Sequence, residues 1–84
     1  MTELNNRNKQ SILRQVVRVI SDQLAQSEVL LEDNFYDLGG DSLIAMKIKN
    51  NLEAQLSITV SIESIMLTET IGEFADDLAE RVQP

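Results

Sequence analysis

The sequence contains no cysteine and no histidine. Without cysteine there is no disulfide and no thiolate ligand, so any thiol chemistry must come from something attached to the chain. Without histidine the commonest general base and the usual zinc ligand are missing. No apolar run reaches the length of a membrane span, and residues 1–18 are too polar for a signal peptide. The chain therefore reads as cytoplasmic, without a membrane partner. Proline occurs once, at Pro84, outside every helical pattern. Glycine occurs three times, and two of the three are adjacent, at Gly39 and Gly40. Internal repeats and low-complexity tracts are absent.

What is present is one small domain of 84 residues. A chain of this size buries only roughly 60% of the surface its unfolded form exposes. Its net charge of −7 is unevenly spread. Up to Arg18, four cations (Arg7, Lys9, Arg14, Arg18) face the single anion Glu3, a local charge of +3. Beyond it, three cations (Lys47, Lys49, Arg81) face thirteen anions, a local charge of −10. Such an acidic body argues against nucleic acid as a partner. It serves either solubility alone or steering toward basic protein surfaces.

Apolar periodicity orders the chain. Residues 1–8 are polar and Asn-rich and read as a flexible terminus, leaving 9–82 as the folded domain. Ile12, Leu13, Val16, Val17, Ile20 and Leu24 recur at helical spacing, with Arg14 and Arg18 on the opposite face, which predicts a first helix from about 9 to about 24. Residues 25–41 lack a sustained period and form a long connection for so small a domain. Leu30, Leu31, Phe35 and Leu38 are expected to pin it to the core, and Glu28, Glu32, Asp33 and Asp37 to face water. The acids do not make a calcium loop. From Asp33 the third ligand position is Phe35, and from Asp37 it is Gly39.

A second helix starts at Asp41 or Ser42, either of which can cap it, and runs to about Leu56. Ile44, Ala45, Ile48, Leu52 and Leu56 form its buried stripe, and Ser42, Met46, Lys49 and Glu53 the opposite face. Leu43 also projects away from the core. Either the long loop folds over Leu43 and the surface Met is incidental, or the two make a contact patch beside Ser42. Ser57–Ile62 alternates like a strand but has no partner, so it reads as an extended link. Ser61 caps a short turn from Ile62 to about Leu67. Thr70 and Glu73 have capping-box spacing ahead of a last helix from Ile71 to about Arg81. The expected fold is all-α: a small bundle of three main helices plus a short third helix in sequence order, with a long loop between the first two.

The stretch Phe35-Tyr36-Asp37-Leu38-Gly39-Gly40-Asp41-Ser42-Leu43 combines an unusual backbone with an exposed hydroxyl. Ser42 lacks what a catalytic nucleophile requires. Gly40-Asp41-Ser42-Leu43-Ile44 has no second glycine for a nucleophile elbow, no histidine exists, and Lys47 and Lys49 lie on polar parts of the helix. No catalytic residue and no metal ligand set is assigned. Ser42 is then either a routine helix-start residue or a substrate for another enzyme, reached over a turn that two glycines keep open. A helix start also favours an incoming phosphate.

These residues resemble the attachment motif of the acyl and peptidyl carrier proteins. Phe35-x-x-Leu38-Gly39-Gly40-Asp41-Ser42-Leu43 matches the motif. Leu43-Ile44-Ala45-Met46 with Ile48, Leu52 and Leu56 matches the spacing of the family's second helix, and Thr70-Ile71 with Phe74-Ala75 the start of its last. The resemblance runs from about Ile12 to Val82. It implies that a phosphopantetheinyl transferase, using coenzyme A and its own base and magnesium, attaches 4′-phosphopantetheine to Ser42. The arm's thiol then holds acyl or aminoacyl groups as thioesters. Implied partners are an adenylating or acyltransferase loading enzyme, and downstream condensation, ketosynthase, tailoring or thioesterase enzymes. Asp41, Leu43, Met46 and Met66 match positions expected to contact them. The chain is expected to be a monomer, and its initial Met and short length suggest a free-standing carrier.

The Gly-Gly pair, and Lys47 and Lys49 against Glu53, are more similar to peptidyl carriers of natural-product assembly than to acidic-helix carriers of fatty-acid synthesis. Three positions depart from the peptidyl pattern: Glu69 where proline is common, Ser57 where glycine is common, and Met66 where phenylalanine is common. Two other functions compete on the residues alone. One is an unmodified helical adaptor using Leu43 and Met46, and the other a small hydrolase using Ser42.

Overall fold

The computed structural model describes residues 9–82; the expected flexible segment over residues 1–8 lies outside them. Four helices follow in order: α1 (Lys9–Leu24), α2 (Ser42–Leu56), α3 (Ile62–Met66) and α4 (Ile71–Val82). α1 packs against both α4 and α2, α3 packs on α2, and α3 also touches α4. There is no strand among the described residues, and the alternating segment after α2 is an extended link.

One core joins all four helices. α1 contributes Ile12, Val16, Val19, Ile20 and Leu24. Val19 was not in the predicted stripe; it lies three residues from Val16 and seven from Ile12, on the flank that α1 buries. Leu13 and Val17 sit only half-buried at the other flank. α2 buries Ala45, Ile48, Leu52 and Leu56, with Ile44 half-buried. α4 buries Ile71, Phe74, Ala75, Leu78 and Ala79. No polar or charged side chain is buried among the described residues, so none carries the desolvation penalty of a lone interior polar group.

The helix ends explain much of the connecting chain. α1 closes with Ala25 at φ 56, where the Ala25 amide donates to Asp22 O and the Gln26 amide to Ser21 O, a Schellman arrangement. α2 closes on Ser57 at φ 58, its amide donating to Glu53 O at 3.0 Å. This left-handed conformation disfavours any residue with a Cβ, which gives the physical reason why glycine suits position 57.

The link after α2 is held from both sides. The Val60 amide donates to Glu53 Oε2 at 2.8 Å, and the Arg81 guanidinium donates to Thr59 O. Glu53 also pairs with Lys49 at 3.0 Å. The Val60 amide, then the Lys49 ammonium, stabilise the carboxylate, so Glu53 titrates below its ordinary 4.5. Ser61 caps α3 by accepting from the Ser64 amide at 3.1 Å.

The long loop departs from expectation in one part. Phe35 is buried and Leu38 half-buried, as predicted, but Leu30 and Leu31 stand 52% and 41% exposed, and half-buried Val29 packs on the core in their place. Asp33 is likewise half-buried. The cause is backbone hydrogen bonding to α4, whose first amides need acceptors. Asp33 O accepts from the Ile71 amide at 2.8 Å, and Leu31 O from the Gly72 amide at 2.7 Å. Thr70 Oγ1 accepts from the Glu73 amide at 3.1 Å, and Thr70 O from that of Phe74 at 3.4 Å. All four first-turn amides are thereby satisfied. Gly72 permits the approach: a Cβ there would lie 3.0 Å from Leu31 O and 3.2 Å from Leu31 Cβ.

Candidate functional site

The chain leading into α2 is built as a miniature helical turn with its own caps. Asn34 Oδ1 accepts from the Tyr36 amide at 2.9 Å and the Asp37 amide at 3.1 Å. Its Nδ2 donates to Glu69 O at 2.9 Å, tying the turn to the approach of α4. The turn closes with the Gly39 amide donating to Tyr36 O and the Gly40 amide to Phe35 O, both at 3.0 Å. Gln26 Nε2 donates to Leu38 O, bracing the turn from the end of α1.

The two glycines therefore serve different needs. Gly39 adopts φ +94, a backbone that side chains rarely permit. Gly40 lies against the buried Phe35 ring, where a Cβ would fall 2.4 Å from Cζ. Phe35 fixes the turn, and Gly40 lets the chain cross it. Asn34 was not recognised from the sequence. Its signal was present as an Asn directly ahead of a four-residue turn that ends in glycine.

Of the two cap candidates, Asp41 caps α2. Its Oδ1 accepts from the Ile44 amide at 2.9 Å, and its carbonyl accepts from the Ala45 amide at 2.9 Å. Ser42 is then the first helical residue. Its side chain is exposed, and no hydrogen bond engages its hydroxyl among the described residues. The amides of Ser42 and Leu43 likewise take no partner there. Lys49, weighed as a base for Ser42, is committed to Glu53, and Lys47 is an exposed side chain.

Leu43 is 58% exposed and Met46 44% exposed, so the loop does not fold over Leu43. Asp41, Ser42, Leu43 and Met46 are brought together at the start of one helix. Met66 is not part of that group; it comes from α3 and is half-buried against the core. Its neighbour Leu67, 79% exposed, is the larger apolar surface there and was missed, having been read only as the end of a helix.

The fold is a four-helix bundle, and at the start of α2 it presents a serine hydroxyl that has no hydrogen-bond partner among the described residues. The comparisons give the class its name. A family model described as the phosphopantetheine attachment site matches residues 13–78. The chain belongs to this family, whose attached group is 4′-phosphopantetheine.

Among curated proteins it is 38% identical over 61 residues to nonribosomal peptide synthetase 7 of Aspergillus fumigatus, covering 73% of this chain and 2% of that protein. It is 30% identical to hybrid PKS-NRPS synthetase 1 of Dothistroma septosporum, covering 76% of this chain and 2% of that one. The chain thus spans only a small fraction of these relatives. Among solved structures, a type-II acyl-carrier-protein from Streptomyces verticillus involved in bleomycin biosynthesis superposes with a TM-score of 0.82 at 24% identity, covering 89% of this chain and 90% of that one. The HMG-ACPI domain from the CurA module of Lyngbya majuscula gives 0.80 at 20% identity, covering 98% and 86%. Both share the fold.

The residues at the start of α2 fit the group. Among the described residues the hydroxyl and the two nearest amides have no partner, and hydrogen bonds to Asn34, Phe35 and Tyr36 hold the turn before it.

Proposed function

We propose that Ser42 carries the 4′-phosphopantetheine arm and that the chain is a carrier, not a catalyst, in nonribosomal-peptide or polyketide assembly. The observation that carries this reading is the exposed Ser42 hydroxyl, without a partner among the described residues, on the first turn of α2. When bound, the arm supplies a terminal thiol that holds an acyl or aminoacyl group as a thioester.

The chain's own part is presentation. Phe35 and Gly39 fix the turn, Asp41 starts the helix, and Ser42 offers Oγ to the transferase. Without cysteine, the protein offers no thiol to compete for cargo. The tether raises the effective concentration of cargo at each docked enzyme.

Asp41, Leu43 and Met46 surround Ser42 and form the contact surface for the transferase, the adenylating or acyltransferase loading enzyme, and the downstream condensation, ketosynthase, tailoring or thioesterase enzymes. Met66, half-buried on α3 and apart from that group, and the exposed Leu67 next to it offer a separate contact for the same partners. The natural-product branch is supported by Lys47 and Lys49 on α2, where a fatty-acid-type carrier would be acidic, and by the synthetases among its relatives. The protein acts as a cytoplasmic monomer. No helix among the described residues is long and apolar enough to cross a membrane.

The test is intact mass after incubation with coenzyme A, magnesium and a broad-specificity transferase. One phosphopantetheinyl increment is expected on the wild type and none on Ser42→Ala. An increment that persists in Ser42→Ala, or none on folded wild type, overturns the assignment.

A further inference from the structure

Arg14 and Arg18 are left unused by the carrier reading. They stand four residues apart on α1, both exposed, and neither joins an ion pair among the described residues. Lys9, Lys49 and Arg81, by contrast, face Asp76, Glu53 and Asp77. With Gln55 of α2 the two arginines line a polar hollow of about 520 Å³. Arg14 also lines a neighbouring apolar groove of about 360 Å³, walled by Leu13, Val17, Val29, Leu30 and Leu31. Leu13 and Val17 form the row next to Arg14 and Arg18, so an apolar strip and a cationic strip run side by side along α1.

We propose that this face of α1 and the 29–32 loop docks an acidic amphipathic helix of a partner protein. Its apolar side fills the groove, and its carboxylates meet Arg14 and Arg18. Charge complementarity selects the occupant. The chain carries −7 overall, so an acidic segment is repelled from most of the surface and is drawn to Arg14 and Arg18, which have no ion-pair partner among the described residues and of which Arg14 lines the apolar groove. Glu32 is the single anion lining the groove, so the carboxylate-rich edge lies toward the arginines and away from it. Gln55 lies thirteen residues beyond Ser42 on α2, about 20 Å along the axis. The hollow that Arg14 and Arg18 share with Gln55 therefore lies toward the end of α2 away from Ser42. The small footprint places the contact in the transient class.

The experiment is titration of the ¹⁵N-labelled, unmodified chain with two synthetic 14-residue amphipathic helices, one of Leu and Glu and one of Leu and Lys. The acidic peptide should shift the amides of residues 13–18 and 29–32. The Arg14→Glu/Arg18→Glu variant should bind it roughly tenfold more weakly, the scale of two partly screened ion pairs. Leu30→Ser, at an exposed position that leaves folding intact, should weaken it severalfold. Equal binding of both peptides, no shift at millimolar peptide, or shifts centred on Leu43 and Met46 overturn the proposal. So does sedimentation showing a dimer of this chain that the double charge reversal dissolves, since the occupant would then be a second copy.

Discussion

Ser57 shows how a single residue can be wrong for its backbone and still be tolerated. Its φ of 58 places it in the left-handed region at the end of α2. Ser57→Gly relieves the Cβ clash but frees the unfolded chain, so the net gain expected is roughly 0.5–1 kcal/mol. Urea denaturation followed by circular dichroism checks it, and a loss of stability would show that the serine side chain does more than occupy space. Gly39 and Gly40 were visible in the sequence as a pair. Only the Phe35 ring beneath Gly40, and the φ of +94 at Gly39, separate their roles.

At the scale of the element, α2 divides into a face that holds the fold and an exposed face, with Leu43 and Met46, proposed as the contact for partners. Leu43→Asp and Met46→Asp should leave far-UV circular dichroism almost unchanged while slowing phosphopantetheinylation or cargo transfer. Ile48→Asp should abolish the folded state. Ile48 is fully buried, and an unpaired interior carboxylate costs several kcal/mol against a total stability of about 5–15 kcal/mol. Unfolding by Met46→Asp would reverse the assignment of faces.

The same helix holds the following link through Glu53. Its carboxyl titrates below 4.5, first because of the Val60 amide and then because of Lys49. A depressed carboxyl stabilises the fold above its unfolded pKa, and that contribution disappears as pH falls through the folded value. Glu53→Gln should therefore be less stable than wild type at neutral pH, with the difference shrinking below about pH 4.5. A gap in melting temperature that stays constant from pH 7 to pH 3 would contradict it. The α2 stripe was legible because its period is local. The Glu53 clasp was not, because the chain must turn back seven residues later to bring the Val60 amide to it.

Across the whole molecule, the long loop belongs to the folded unit. Phe35 sits in the core, and the carbonyls of Leu31 and Asp33 receive the first amides of α4. Tyr36 is the only tyrosine, there is no tryptophan, and its ring meets Phe35 edge-on at 5.8 Å. Its fluorescence therefore reports the loop alone, while far-UV circular dichroism reports the helices. The two should trace the same urea transition. An earlier tyrosine transition would mean that the loop detaches before the bundle unfolds.

The sequence by itself determined the number, order and bounds of the helices, because apolar period and cap residues act within a few residues of each other. It also determined the candidate serine, because an attachment motif is a contiguous string. The tertiary structure alone decided that Leu30 and Leu31 face solvent, that Asn34 organises the turn before α2, and that Leu43 is uncovered. It alone placed Arg14, which has no ion-pair partner among the described residues, on the edge of an apolar groove. Each of these depends on an acceptor, a ring or a neighbouring element distant in the chain, and hydrogen-bond accounting across such distances is settled only when the elements meet. The roles of Gly39 and Gly40 were settled for the same reason: Gly39 supplies a backbone at φ +94, and Gly40 lets the chain cross the Phe35 ring.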